Sequence, residues 1–96
     1  MVVVVAYDVS TESKEGRRRL RRVAQACEDF GQRVQKSLFE CVLRSQDWVR
    51  LRGRLLSEID DKQDNLRFYF LEEDSRKKTE HHGIGRPLDL EGPLIV

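Results

Sequence analysis

Asp8 closes an apolar run, Val2-Val3-Val4-Val5-Ala6-Tyr7, and Ser10-Thr11-Glu12-Ser13 after it reads as loop. An acid at the carboxyl end of an inner strand is where open α/β sheets commonly place ligand chemistry. A second chemical feature lies just downstream, where Lys14, Arg17, Arg18, Arg19, Arg21 and Arg22 crowd one short region. Such a cluster suits phosphate oxygens. Other candidates are weaker. His81 and His82 are adjacent, so on a strand they point to opposite faces, and no carboxylate or thiol sits at ligand spacing. Gly83-x-Gly85 lacks the strand-turn-helix setting of a phosphate loop. Cys27 and Cys41 are far apart and form no CxxC pair, so they read as small buried hydrophobes of a reducing compartment.

The elements that position these residues follow from periodicity. Four consecutive valines are stiff at χ1 and favour a strand. Val3 and Val5 point to one face while Val2, Val4 and Ala6 point to the other, so the strand is apolar on both sides and belongs in the middle of a sheet. Leu20, Val23, Ala24, Cys27 and Phe30 then recur at helical spacing and predict a helix over about residues 15–30, with Gly31 as a left-handed cap. On its polar side Arg17 with Arg21, and Arg18 with Arg22, are like-charge neighbours one turn apart, in the half of the helix whose dipole disfavours cations. A cluster that local energetics disfavours is a candidate for function. Two short strands are expected at about 33–36 and 38–43, meeting near Ser37. Ser45 is expected to cap a second helix over about residues 46–59, striped by Trp48, Leu51, Leu55, Leu56 and Ile59. Leu66 to Leu71 reads as a further strand, and Thr79 to His82 as a short fifth one.

The order β-α-β-β-α-β is that of the split βαβ, ferredoxin-like α+β sandwich. Ninety-six residues make one domain, 1–96, with 1–71 as the core and 72–96 as a C-terminal extension. Two helices cover only one face of the sheet, and the chain closes on apolar Leu94-Ile95-Val96. Both features call for a partner sheet, hence a face-to-face homodimer in which the extension contacts the partner. The net charge of +1 indicates no partner by itself, but it conceals a basic region and a later acidic one, Asp60, Asp61, Asp64, Glu72, Glu73 and Asp74. The opening run is too short for a membrane span and lacks the basic lead of a signal peptide, so a cytoplasmic protein is expected.

Three blocks together resemble one family. They are Ala6-Tyr7-Asp8-Val9-Ser10, the stretch Gly31-Gln32-Arg33-Val34-Gln35-Lys36-Ser37-Leu38-Phe39-Glu40-Cys41, and Leu66-Arg67-Phe68-Tyr69. The family is the small CRISPR-associated adaptation protein, second of the numbered Cas proteins, and the ending Pro-Leu-Ile-Val is similar to that of its type I-C branch. The resemblance implies a homodimer in which Asp8 binds a divalent metal, Mg2+ or Mn2+, with Tyr7, Arg33, Ser37 and Phe39 around the catalytic site. It also implies metal-dependent endonuclease activity on RNA or duplex DNA, and a scaffold role bridging the CRISPR-associated integrase during spacer acquisition. Arg17, Arg18, Arg21 and Arg22 would then hold the nucleic acid. A stand-alone toxin-type ribonuclease is the alternative. One carboxylate per subunit is few for two-metal hydrolysis, and no histidine is placed as a general base.

Overall fold

The valine run is the inside of the sheet. In the computed structural model, which describes residues 1–85 without the side chains of residues 74–76, β1 (Val2–Asp8) lies between two antiparallel neighbours. After it come α1 (Lys14–Phe30), β2 (Gln32–Gln35), β3 (Leu38–Val42), α2 (Ser45–Glu58) and β4 (Asn65–Leu71). The four strands are ordered β2-β3-β1-β4. Val5 stands opposite Phe39 of β3 and Phe68 of β4, and Asp8 opposite Asn65. This is the expected α+β sandwich.

Strand alternation separates two faces. Val3, Val5, Tyr7 and Val9 are buried in one core with Phe39 and Cys41 of β3, Val23, Ala26 and Cys27 of α1, and Leu51 and Leu55 of α2. Trp48 extends this core to the sheet edge, meeting Phe68 and Phe70 edge-on at 4.8 and 5.4 Å between centroids. Val4, Ala6 and Asp8 have the opposite parity and share the other face with Leu38, Glu40 and Val42 of β3 and Arg67, Tyr69 and Leu71 of β4. Neither α1 nor α2 packs on that side; Val2 at its far end is buried, while Tyr69 and Leu71 are 44% and 43% exposed.

The helices begin and end for physical reasons that differ in part from expectation. Ser13 caps α1, its Oγ accepting from the Gly16 amide at 2.9 Å. Ser45 does not cap α2: Arg44 holds that place, makes no side-chain cap bond, and donates from Nε to Asp47 at 3.0 Å. Gly31 is not left-handed either. Its φ of −155° is extended, because the chain passes straight from α1 into β2. Glycine is required there by close approach, since a Cβ would collide with the Cys41 sulfur and lie 2.7 Å from the Glu40 carbonyl oxygen.

Residues 79–82 form no strand; a 3₁₀ helix over Glu73–Lys78 precedes them, and they do not pair with β4. A segment without a hydrogen-bonded neighbour has no ladder to join. The expected contacts of Leu94-Ile95-Val96 lie outside the described residues. Among the described residues no helix is long and apolar enough to cross a membrane.

Candidate functional site

The carboxyl end of β1, the β2–β3 turn and the start of β4 meet at one end of the sheet. The Tyr7 amide donates to the Ser37 carbonyl at 3.1 Å, which places the turn one residue from Asp8, and Asn65 flanks Asp8 on the other side. Asp8 is exposed, and its side chain has no hydrogen bond or ion pair among the described residues. Its carboxylate is therefore available to a cation. No group of three or more His, Cys, Asp or Glu side chains placed for a metal occurs among the described residues. One chain thus offers a single acidic side chain at this end of the sheet. A hard divalent cation that keeps several waters tolerates so few protein ligands.

Tyr7, Arg33 and Phe39 come together, but on the opposite, helix-covered face. The rings of Tyr7 and Phe39 stack at 6.2 Å and 23°. The Arg33 guanidinium lies 5.0 Å over the Phe39 ring and donates to Glu28 at 2.9 Å and to the Lys36 carbonyl at 3.1 Å. Phe39 is fully buried and Tyr7 nearly so, leaving neither ring a surface for substrate. Burial pushes the Tyr7 phenol above its ordinary value although Arg33 opposes this, so the hydroxyl stays protonated, within 3.4 Å of the Lys36 carbonyl. These three residues fasten the β2–β3 turn to β1. Ser37 and Asp8 are what that fastening presents at the sheet end.

Of the four arginines expected to hold nucleic acid, all are exposed and two are committed within the chain. Arg17 donates to the Thr11 carbonyl at 3.1 Å, and Arg22 lies 3.6 Å from Glu58 of α2. The side chains of Arg18 and Arg21 have no hydrogen bond or ion pair among the described residues; nor have those of Arg50 and Arg52 of α2, although the Arg50 charge acts on Asp47. Sequence reasoning did not single out the α2 pair because they are interleaved with apolar residues, without a run to draw attention. It also missed Arg19 and Asp64 as a couple. Their two-pronged ion pair, at 2.9 and 3.3 Å, closes over 45 residues of chain. The buried thiols of Cys27 and Cys41 are free, and burial pushes both to about 12, as inert hydrophobes require.

Residues 1–79 match the family model described as CRISPR associated protein Cas2. The chain belongs to that family. It is similar to the CRISPR-associated endoribonuclease Cas2 of Chlorobaculum tepidum, with 54% identity over the whole of both chains. It is 47% identical to the CRISPR-associated endonuclease Cas2 of Halalkalibacterium halodurans over 99% of each. The fold is similar to the crystal structure of Streptococcus pyogenes Cas2 at pH 6.5, with a TM-score of 0.77 and 47% identity, covering 86% of this chain and all of that one. The expectation drawn from the three sequence blocks thus holds at the level of family and fold. Against the Cas2 background, the parity of β1 sorts the site: Asp8 on the open face, its supports beneath.

Proposed function

We propose that this Cas2 protein works as a homodimer in CRISPR spacer acquisition, binding duplex DNA and scaffolding the integrase, and that it is a metal-dependent endonuclease. The observation that carries the reading is that Asp8 shares the uncovered face of the sheet with Val4, Ala6, Tyr69 and Leu71. A second copy closing that face through a twofold, isologous contact can set two Asp8 carboxylates about one Mg2+ or Mn2+ ion. A divalent ion supplies Lewis-acid polarisation of a phosphodiester. The chain's own part is to present the carboxylates, to fix Ser37 beside them through the Tyr7 amide, and to hold the phosphate backbone on Arg18 and Arg21, with Arg17 and Arg22 alongside. The relatives' names, endoribonuclease and endonuclease, support nuclease chemistry, and RNA and DNA are both to be tried. The ending Leu94-Ile95-Val96 supports a type I-C setting, and its removal is expected to weaken the dimer. The absence of a membrane-crossing helix among the described residues is in keeping with a cytoplasmic site of action.

The test is Asp8→Asn, which nearly keeps the shape of the side chain and removes its charge. Cleavage of single-stranded RNA and of duplex DNA with Mg2+ is expected to vanish. Sedimentation should still report a dimer, and duplex and integrase should still bind. Robust cleavage by the variant would remove Asp8 from the chemistry. Loss of spacer capture in cells while the complex still assembles would overturn the scaffold half of the proposal.

A further inference from the structure

Asp64 is the most enclosed acid described in the molecule, with a side chain that has no exposed surface. It sits in the turn before β4, and its two oxygens receive hydrogen bonds from three separate parts of the chain. Oδ1 accepts from the Ser10 amide at 3.0 Å and from Arg19 Nη2 at 3.3 Å. Oδ2 accepts from Arg19 Nε at 2.9 Å and from the Asp60 amide at 2.9 Å. Each carboxylate oxygen thus accepts two hydrogen bonds, as an enclosed carboxylate demands.

The location decides what this arrangement does. Ser10 is two residues beyond Asp8, and Asn65, the residue after Asp64, is the register partner of Asp8 in β4. Asp64 therefore ties the chain just beyond Asp8 to the start of the strand beside it. Two further contacts stiffen the same loop. The Ser10 carbonyl packs so closely on Gly16 that a Cβ there would run into it, and Arg17 donates to the Thr11 carbonyl at 3.1 Å. A half-buried ion pair is a weak source of stability compared with apolar packing of similar volume, but its bonds are directional. Asp64 has no surface to offer an ion, so it is not a ligand itself.

We infer that Asp64, oriented by Arg19, is the positioning residue that fixes the Asp8 carboxylate at the end of β1. The inference rests on the reading of Asp8 as the metal ligand, and its test separates the two. Amide hydrogen exchange in the intact dimer reports on the loop through Val9, Ser10 and Thr11, and on the core through Phe39 and Cys41. Mn2+ titration reports on the ligand. In Asp64→Asn, an amide group faces the Asp60 N–H and Arg19 where an acceptor is needed. The loop amides should exchange about tenfold faster or more, the effect of losing one charge-assisted hydrogen bond, while the core amides keep their protection. Mn2+ binding should weaken by a similar factor. Arg19→Lys keeps the charge but not the fork, and should give a smaller change of the same pattern; it also serves if Asp64→Asn fails to fold.

Loop exchange that stays unchanged overturns the inference. So does a loss of protection spread equally over loop and core, which would make the pair a plain fastening of the fold. So does Mn2+ binding that is lost in Asp8→Asn but kept in Asp64→Asn. If the loop loosens while Asp8→Asn itself leaves Mn2+ binding intact, the clasp on Asp8 stands and it is the metal-ligand reading that falls.

Discussion

Arg18 and Arg21 offer the most direct measure of whether the α1 surface meets nucleic acid. Both are exposed and uncommitted among the described residues, whereas Arg17 and Arg22 already face Thr11 and Glu58. Each phosphate that a cation neutralises in B-form DNA contributes about 0.9 to the slope of log affinity against log salt. Replacing Arg18 and Arg21 by Gln should therefore lower the magnitude of that slope by about 1.8 for each protomer in contact. Between about 50 and about 200 mM salt, that is about a twelve-fold smaller loss of affinity than in the unaltered protein. Arg22→Gln should change the slope less, since Glu58 already offsets part of the Arg22 charge. The assay is fluorescence anisotropy of a labelled duplex across that salt range. The fold should not suffer, because like-charge neighbours one turn apart are relieved. A slope that is the same with and without the two arginines would leave the ridge as a solvated surface and refute the reasoning.

Gly31→Ala should destabilise the protein by about 1–3 kcal/mol in urea unfolding, the usual range for overpacking, because its Cβ has Cys41 and the Glu40 carbonyl in the way. Cys41→Ala should relieve only part of this, since the Glu40 oxygen at 2.7 Å is backbone; full relief would show that the sulfur alone sets the limit. Acid should unfold the protein partly through Asp64. Burial by itself raises its carboxyl, but bonds from Arg19 and the Asp60 and Ser10 amides outweigh this and hold it below its ordinary value. A lowered folded-state value contributes stability that is present above the unfolded value, about 3.9, and is lost as pH falls through the folded one. Asp29, Asp47 and Asp60 are lowered as well, so Asp64→Asn should make the acid limb of a stability–pH curve shallower without abolishing it. An unaltered limb would contradict the assignment.

The elements were legible because their signals are local. A valine run stiff at χ1, two apolar stripes of helical period and an aromatic strand each declare themselves within a dozen residues, and their observed limits lie within a residue or two of expectation. Misreadings came where one residue type serves two purposes. Gly31 looked like a left-handed cap but answers to a close approach from β3, which no local pattern reveals. Ser45 looked like a cap, yet the helix starts one residue earlier and draws on Asp47 through Arg44. Arg19 and Asp64 were visible only as members of a basic and an acidic cluster. Their pairing depends on a tertiary contact across 45 residues. The division of the site, by contrast, was already contained in the alternation of β1, which sets Tyr7 with Val3 and Val5 and leaves Asp8 with Val4 and Ala6.

That alternation also explains why buried residues accompany an exposed acid in the same motif. Side chains on a strand have a period of two, so a slip of β1 by one residue would turn Asp8 into the core and Tyr7 out of it. The open face alone resists such a slip poorly, because Val4 and Ala6 on it are apolar and would accept burial. What opposes it is the shape of the other face. Tyr7 must stack on Phe39, Phe39 must lie under Arg33, and the Tyr7 amide must reach Ser37. None of these partners is available one residue along. Tyr7, Arg33 and Phe39 thus serve the site by fixing the register that delivers Asp8 to the uncovered face, and Asp64 fixes the chain just beyond it. On this account Phe39→Ala should cost about 3–5 kcal/mol of stability, as for other buried aromatics. Any loss of metal binding in that variant should follow the loss of fold, whereas in Asp64→Asn it should precede it.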